Sequence, residues 1–138
     1  MCAPVSVNEL PKRGRQKLTI HKSAEDYLEM ILMIREQKGY VRSVDVAQAL
    51  GVTKPSVSVA MKKLRENGYI TFDKDNYILL SVPGEKIARH MYERHKVLSS
   101  LLIRLGVTES VAREDACKIE HDISDETFDA ICRYMEKV

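Results

Sequence analysis

Apolar residues recur at intervals of three and four over most of this chain, and at an interval of two in one short stretch. Tyr27, Leu28, Ile31, Leu32 and Ile34 form the stripe of an amphipathic helix, with Ser23 as its N-cap, Asp26 three residues on and Gly39 at its end. Val44, Val46, Ala47 and Leu50 mark a shorter helix that Ser43 caps and Gly51 stops. Val52-Thr53 makes the next turn. Thr53 caps a third helix, Pro55 fits its first turn because no N–H is needed there, and Asn67-Gly68 stops it. Residues 69–72 and 77–80 are β-prone runs around the polar set Asp73-Lys74-Asp75-Asn76, which predicts a hairpin. Ser81-Val82-Pro83-Gly84 then opens a long helix to about Leu105, ended by Gly106. Thr108 caps another to about His121, and Ser124 caps the last.

Helix, glycine-containing tight turn, helix and hairpin in that order predict a winged helix-turn-helix. The fold class is mainly α: an N-terminal winged helix-turn-helix with a small β-hairpin wing over 21–82, followed by an all-helical domain over 83–138. Residues 1–20 form a flexible basic arm, since Pro4, Pro11 and Gly14 interrupt any apolar period. A length of 138 residues suits one compact domain or two small ones.

Composition narrows the function. With 44% hydrophobic and 30% charged residues the chain is predicted to be globular and soluble. Its longest apolar run falls well short of the roughly 18 residues a membrane span needs. The first 20 residues lack a signal-peptide core. Cys2, Cys117 and Cys132 are too few for a disulfide framework and fit a reducing compartment, so a cytoplasmic protein without a membrane partner is predicted. The net charge of +2 conceals an asymmetry: residues 1–22 carry +4, residues 52–63 carry +3 and residues 108–138 carry −5. The positive regions would meet a polyanion, and the acidic one a cation.

The first turn of the third helix offers Thr53, Lys54, Pro55, Ser56 and Ser58 to base edges, with Val59 one turn on. Hydroxyls can bond bases or phosphates and apolar groups can touch thymine methyls, but no Arg, Asn or Gln supplies a bidentate base contact. Direct readout is therefore modest and is supplemented by DNA shape. Lys62, Lys63 and Lys74 on the wing are phosphate candidates, although a solvated face explains the first two equally well. In the arm, Arg13-Gly14-Arg15 looks similar to an AT-hook with Gln16 in the usual proline position. A non-specific basic tail is the competing reading.

Cys117, Glu120 and His121 stand at helical spacing that would put three ligands on one face, and Asp26 and Glu29 repeat that spacing on the first helix. His95 adds an imidazole from the long helix. Carboxylate, imidazole and thiol together suit a divalent first-row ion. Each residue alone has a plainer explanation: Asp26 a capping acid, Glu29 a surface charge, His95 a core histidine and Cys117 a packed thiol. A Cys117–His121 nucleophile pair lacks an orienting third residue and an oxyanion hole, so no enzyme and no small-molecule substrate are predicted. A winged-helix regulator that senses no metal is the alternative.

The chain resembles the diphtheria toxin repressor and manganese transport regulator family over about residues 18–138. The resemblance rests on Ser-Ala-Glu-Asp-Tyr-Leu-Glu (23–29), the helix-turn-helix over 46–64, Arg94-His95, and Cys117-Lys-Ile-Glu-His121 followed by Ser124. It implies a homodimer that binds a palindromic operator when loaded with Mn²⁺ or Fe²⁺ and represses metal uptake. Co²⁺ or Zn²⁺ would serve in vitro. The implied ligands are Asp26, Glu29, His95, Cys117, Glu120 and His121, and the helical domain becomes the metal-binding and dimerisation domain. By position the ligand set is a hybrid: Asp26 matches the manganese branch and Cys117 the iron branch. Ser99 and Arg113 occupy positions that carry ancillary-site ligands in the iron branch.

Overall fold

The structure, a computed structural model, describes residues 22–137. Six helices and one hairpin follow in the order α1 (Lys22–Lys38), α2 (Ser43–Leu50), α3 (Lys54–Glu66), β1 (Ile70–Phe72), β2 (Ile78–Leu80), α4 (Val82–Arg104), α5 (Glu109–Ile119) and α6 (Asp125–Glu136). They divide into two compact units within α4, one running to Arg89 and the other starting at His90.

In the first unit α1 packs on α2, α3 and β2, α2 packs on α3, and α3 packs on β1. Leu28, Ile31, Leu32, Val41, Val46, Val57, Met61, Leu64, Ile70 and Ile78 are buried. Each such aliphatic side chain contributes about 1.5–3 kcal/mol on leaving water. The caps show how the local sequence fixes these elements. Gly51 takes φ 67° and lets α2 end in a left-handed turn that a β-carbon would strain. Thr53 sits in extended backbone and its Oγ1 accepts from Ser56 N at 3.3 Å, which starts α3. Two sequence expectations fail here. Ser23 lies inside α1, which already includes Lys22. Ser43 is the first helical residue of α2 and Arg42 takes the N-cap position, where its backbone N donates to the Asp45 carboxylate at 2.9 Å.

The wing is antiparallel, with Ile70 opposite Leu80 and Phe72 opposite Ile78. Its turn is set by Asp73, whose Oδ1 accepts from Asp75 N at 2.8 Å and Tyr77 N at 3.0 Å, while Asn76 takes φ 64°. Ile78 N points away from β1 and donates to Val41 O at 2.8 Å, tying the wing to the α1–α2 connection. Ser81 closes the hairpin and caps α4. It donates from its backbone N to Tyr69 O (3.0 Å) and from its hydroxyl to Gly68 O (2.6 Å), and its Oγ accepts from Gly84 N (3.2 Å). Gly84 rests directly on the Tyr69 carbonyl. Arg35, near the end of α1, grips Glu85 in the first turn of α4 through two 2.7 Å bonds.

The second unit holds the rest of α4 with α5 and α6. Met91, Leu98, Ala112 and Ala116 are buried, together with the polar Arg94, His95, Ser99 and Glu120. Ala112 and Ala116 are the buried residues of α5. Ser124 caps α6 as its sequence predicts, accepting from Thr127 N at 3.1 Å, whereas Thr108 holds the N-cap position of α5 without a side-chain bond. No residue of α6 is buried, and Tyr134 is exposed on it.

Candidate metal centre and nucleic-acid interface

The predicted ligands fall in both units. Asp26 and Glu29 lie three residues apart on α1, and both are buried despite their charge. A carboxylate is seldom buried without a cation or hydrogen-bond donors near it. In the second unit the structure brings four ligands together. α4 supplies His95 and α5 supplies Cys117. α5 ends at Ile119, so Glu120 is its C-cap and His121 lies in the following turn, not on the helix face that spacing predicts. The backbone of Glu120 keeps helical torsions (φ −60°, ψ −26°), and so its carboxylate still turns toward Cys117 and His95.

Glu120 is fully buried, with an imidazole at each oxygen. His95 Nδ1 is 3.1 Å from Oε2 and His121 Nε2 is 3.4 Å from Oε1. Cys117 Sγ lies 3.7 Å from the same His95 Nδ1. One nitrogen, one sulfur and one carboxylate oxygen of His95, Cys117 and Glu120 all lie within 4.8 Å of one another. Ligand atoms bound at about 2.0–2.3 Å to one ion stand about 3–3.7 Å apart, so the His95–Glu120 spacing fits a divalent transition ion, and the Cys117 sulfur, held in a disulfide in this structure, would join as a thiolate once reduced. Ser99 buries its hydroxyl on α4, whereas Arg113 is exposed and pairs with Glu109 at 2.8 Å.

On the first unit Thr53, Lys54, Pro55, Ser56, Ser58, Val59, Lys62 and Lys63 are all exposed along α3, and Lys74 is exposed on the wing turn. Val59 stands out as an apolar side chain 57% exposed on an otherwise polar surface, which suits a methyl-reading role. Val57, Met61 and Leu64 face the core instead. Arg13 and Arg15 lie outside the described residues. The structure also presents cations that the sequence reading missed. Arg42, Ser43, Arg65, Phe72, Asp75 and Asn76 line a groove of about 600 Å³ between the α2 start, α3 and the wing. Arg42 donates to the Tyr77 hydroxyl at 3.0 Å and stacks on the Tyr77 ring at 5.0 Å, while Arg65 stacks on Phe72 at 5.7 Å. Arg65 had a local signal, three residues after Lys62 on the same face. Arg42 had none, because Tyr77 lies 35 residues away.

Among the described residues no helix is long and apolar enough to cross a membrane. Residues 19–77 match the iron dependent repressor N-terminal DNA binding domain, and residues 82–138 match the iron dependent repressor metal binding and dimerisation domain. The transcriptional regulator MntR of Escherichia coli O6:H1 is 36% identical over 135 residues, covering 96% of this chain and 87% of that protein. The Bacillus subtilis HTH-type transcriptional regulator MntR is 38% identical over 109 residues, covering 79% and 77%. The solved structure of a manganese-dependent transcriptional repressor in complex with manganese matches with a TM-score of 0.74 at 28% identity, covering 82% of this chain. The present chain spans about half of that structure, 52% of its length. Its relatives are DNA-binding regulators and not enzymes, and a regulator that ignores metal is the weaker reading. The chain belongs to the iron-dependent repressor family of metal-dependent transcriptional repressors.

Proposed function

We propose that the chain is a cytoplasmic homodimer that represses metal-uptake genes by binding a palindromic operator when Mn²⁺ or Fe²⁺ fills a centre made by Asp26, Glu29, His95, Cys117, Glu120 and His121. The observation that carries this is the buried Glu120 carboxylate, with nitrogen, sulfur and oxygen donors of His95, Cys117 and Glu120 within 4.8 Å of one another. Residues 21–82 act as the DNA-binding domain and residues 83–138 as the metal-binding and dimerisation domain. When bound, the ion supplies positive charge that offsets the buried carboxylates. His95 and His121 orient Glu120, and Asp26 and Glu29 add hard oxygen ligands from the DNA-binding domain. Ligation from both domains restricts the separation of two recognition helices, which must match half-sites about 34 Å apart. A coupling of about 1–3 kcal/mol changes operator affinity about 5–150-fold.

Thr53, Lys54, Pro55, Ser56, Ser58 and Val59 read bases and nearby phosphates, while Lys62, Lys63, Lys74, Arg42 and Arg65 contact phosphates. Arg13 and Arg15 extend the contact into a flanking minor groove. The oxygen ligand at position 26 favours Mn²⁺ and the sulfur at position 117 favours Fe²⁺, with Co²⁺ and Zn²⁺ able to substitute in vitro. The test is anaerobic DNA binding titrated with each of the four ions, using DNA enriched from a random pool by the metal-loaded protein. Wild type and Cys117→Glu are compared. Binding that tightens with Mn²⁺ or Fe²⁺, and shifts toward Mn²⁺ in Cys117→Glu, is expected. Equal affinity in chelator and in excess ion would sink the proposal.

A further inference from the structure

Consecutive residues of α4 grip one short segment in two ways. His95 meets the Glu120 side chain, and Arg94 meets the backbone that carries it. Arg94 Nη1 donates to Glu120 O at 3.1 Å and to Ile123 O at 2.8 Å, and Nη2 donates to the carboxylate of Asp125, the first residue of α6. The guanidinium also lies over the Phe128 ring, 5.1 Å from its centroid. The Arg94 side chain is only 5% exposed, whereas the Asp125 side chain is 80% exposed. A buried guanidinium is costly unless its donors are used, and here Nη1 and Nη2 are used on the turn that ends α5 and starts α6, while Nε is buried without a partner. Glu120 O belongs to the C-cap of α5, where a helix leaves carbonyls without intrahelical partners, and Ile123 O lies in the turn just before the N-cap of α6.

The geometry points to Arg94 as a positioning residue for the metal ligands: it holds Glu120 and His121 toward His95, and through Asp125 and Phe128 it ties that ligand segment to the first turn of α6. The inference rests on the metal reading of this cluster. It also accounts for the residue type. Only a planar fork reaches two carbonyls and a carboxylate at once; lysine presents a single point of charge. The ligand turn and the start of α6 therefore move as one piece, so a shift at Glu120 is felt at the helix that begins five residues later.

The test uses the full chain, with Mn²⁺ affinity measured by calorimetry, the Mn²⁺ electron paramagnetic resonance line shape, and thermal melting in chelator. Arg94→Lys is expected to weaken Mn²⁺ binding by the folded protein about ten- to a hundredfold and to alter the line shape. Asp125→Asn, at an exposed position, is expected to weaken it severalfold, and the double variant to lose little beyond Arg94→Lys alone. If Arg94→Lys melts lower but binds Mn²⁺ as tightly as the parent, Arg94 merely braces the turn and the inference is overturned. Should Arg94→Lys not fold, Asp125→Asn decides by the same criterion. If the parent itself binds neither Mn²⁺ nor Fe²⁺, the metal reading fails and takes this inference with it.

Discussion

A β-carbon on Gly84 would lie 2.0 Å from the Tyr69 carbonyl oxygen and 2.9 Å from its carbon. Ordinary contact is at about 3.5 Å, so Gly84→Ala asks two backbones to part by about 1.5 Å. Neither is free to move. The same Tyr69 oxygen accepts from Ser81 N at 3.0 Å, and the Ser81 hydroxyl is held between Gly68 O and Gly84 N. Overpacking costs about 1–3 kcal/mol, and a clash with backbone held on both sides falls in the upper part of that range, about 2–3 kcal/mol. Alanine recovers up to about 1 kcal/mol of helix propensity, because Gly84 lies inside α4. The balance is a loss of about 1–2 kcal/mol, or roughly 3–8 °C in Tm for a chain of this size. Urea denaturation followed by far-ultraviolet circular dichroism measures it, with an unchanged slope showing that two-state unfolding is intact. A Gly84→Ala protein as stable as the parent would refute the reasoning, since propensity alone would then govern the site.

Four further outcomes are expected. Excess Mn²⁺ raises the melting temperature of the parent, by about 2.7 kcal/mol of stability at a hundredfold excess over Kd, and Glu120→Gln abolishes most of that rise; an equal rise in both proteins would exclude Glu120 as a ligand. Glu85 is held below its usual pKa chiefly by its hydrogen bonds to Arg35. The stabilisation it contributes is thus full above the unfolded value of about 4.3 and is lost as pH falls through the lower folded value. Glu85→Gln should cost about 0.5–1 kcal/mol at pH 7 and nothing at pH 2–3, measured by urea titration at each pH. Thr53→Ala removes the cap on α3 and should cost about 0.5–2 kcal/mol, with faster amide exchange at Ser56. Lys62→Ala should lower the salt slope of DNA binding by about 0.9, and a slope that stays put would place Lys62 off the phosphates.

What the sequence made legible was whatever depends on neighbours in the chain. Gly51 and Thr53 announce the tight turn because their roles need only the residues beside them. The wing turn is equally local, since Asp73 bonds residues two and four positions on. Ser23 and Ser43 misled for the complementary reason. Each has the side chain of a cap, but α1 already includes Lys22, and Asp45 serves the Arg42 amide so that Ser43 becomes helical. The His95–Cys117–Glu120–His121 set was legible by residue type and family resemblance, and its helix-face rationale holds for Cys117 and Glu120 but not for His121, which lies in the turn after α5. Arg94 and Gly84 were illegible in their roles. One acts on partners 26 to 31 residues away, and the other matters through a contact with Tyr69 across the hairpin.

The bond from Ile78 N to Val41 O has a consequence for how copies of this protein meet. On a three-residue strand facing β1, alternation leaves only the Ile78 and Leu80 amides pointing outward, and Val41 occupies the first of them. An intruding strand would find little of a ladder to extend along β2. Self-association by sheet extension, and with it cross-β aggregation, is thereby disfavoured at that edge for as long as the α1–α2 connection stays folded against it.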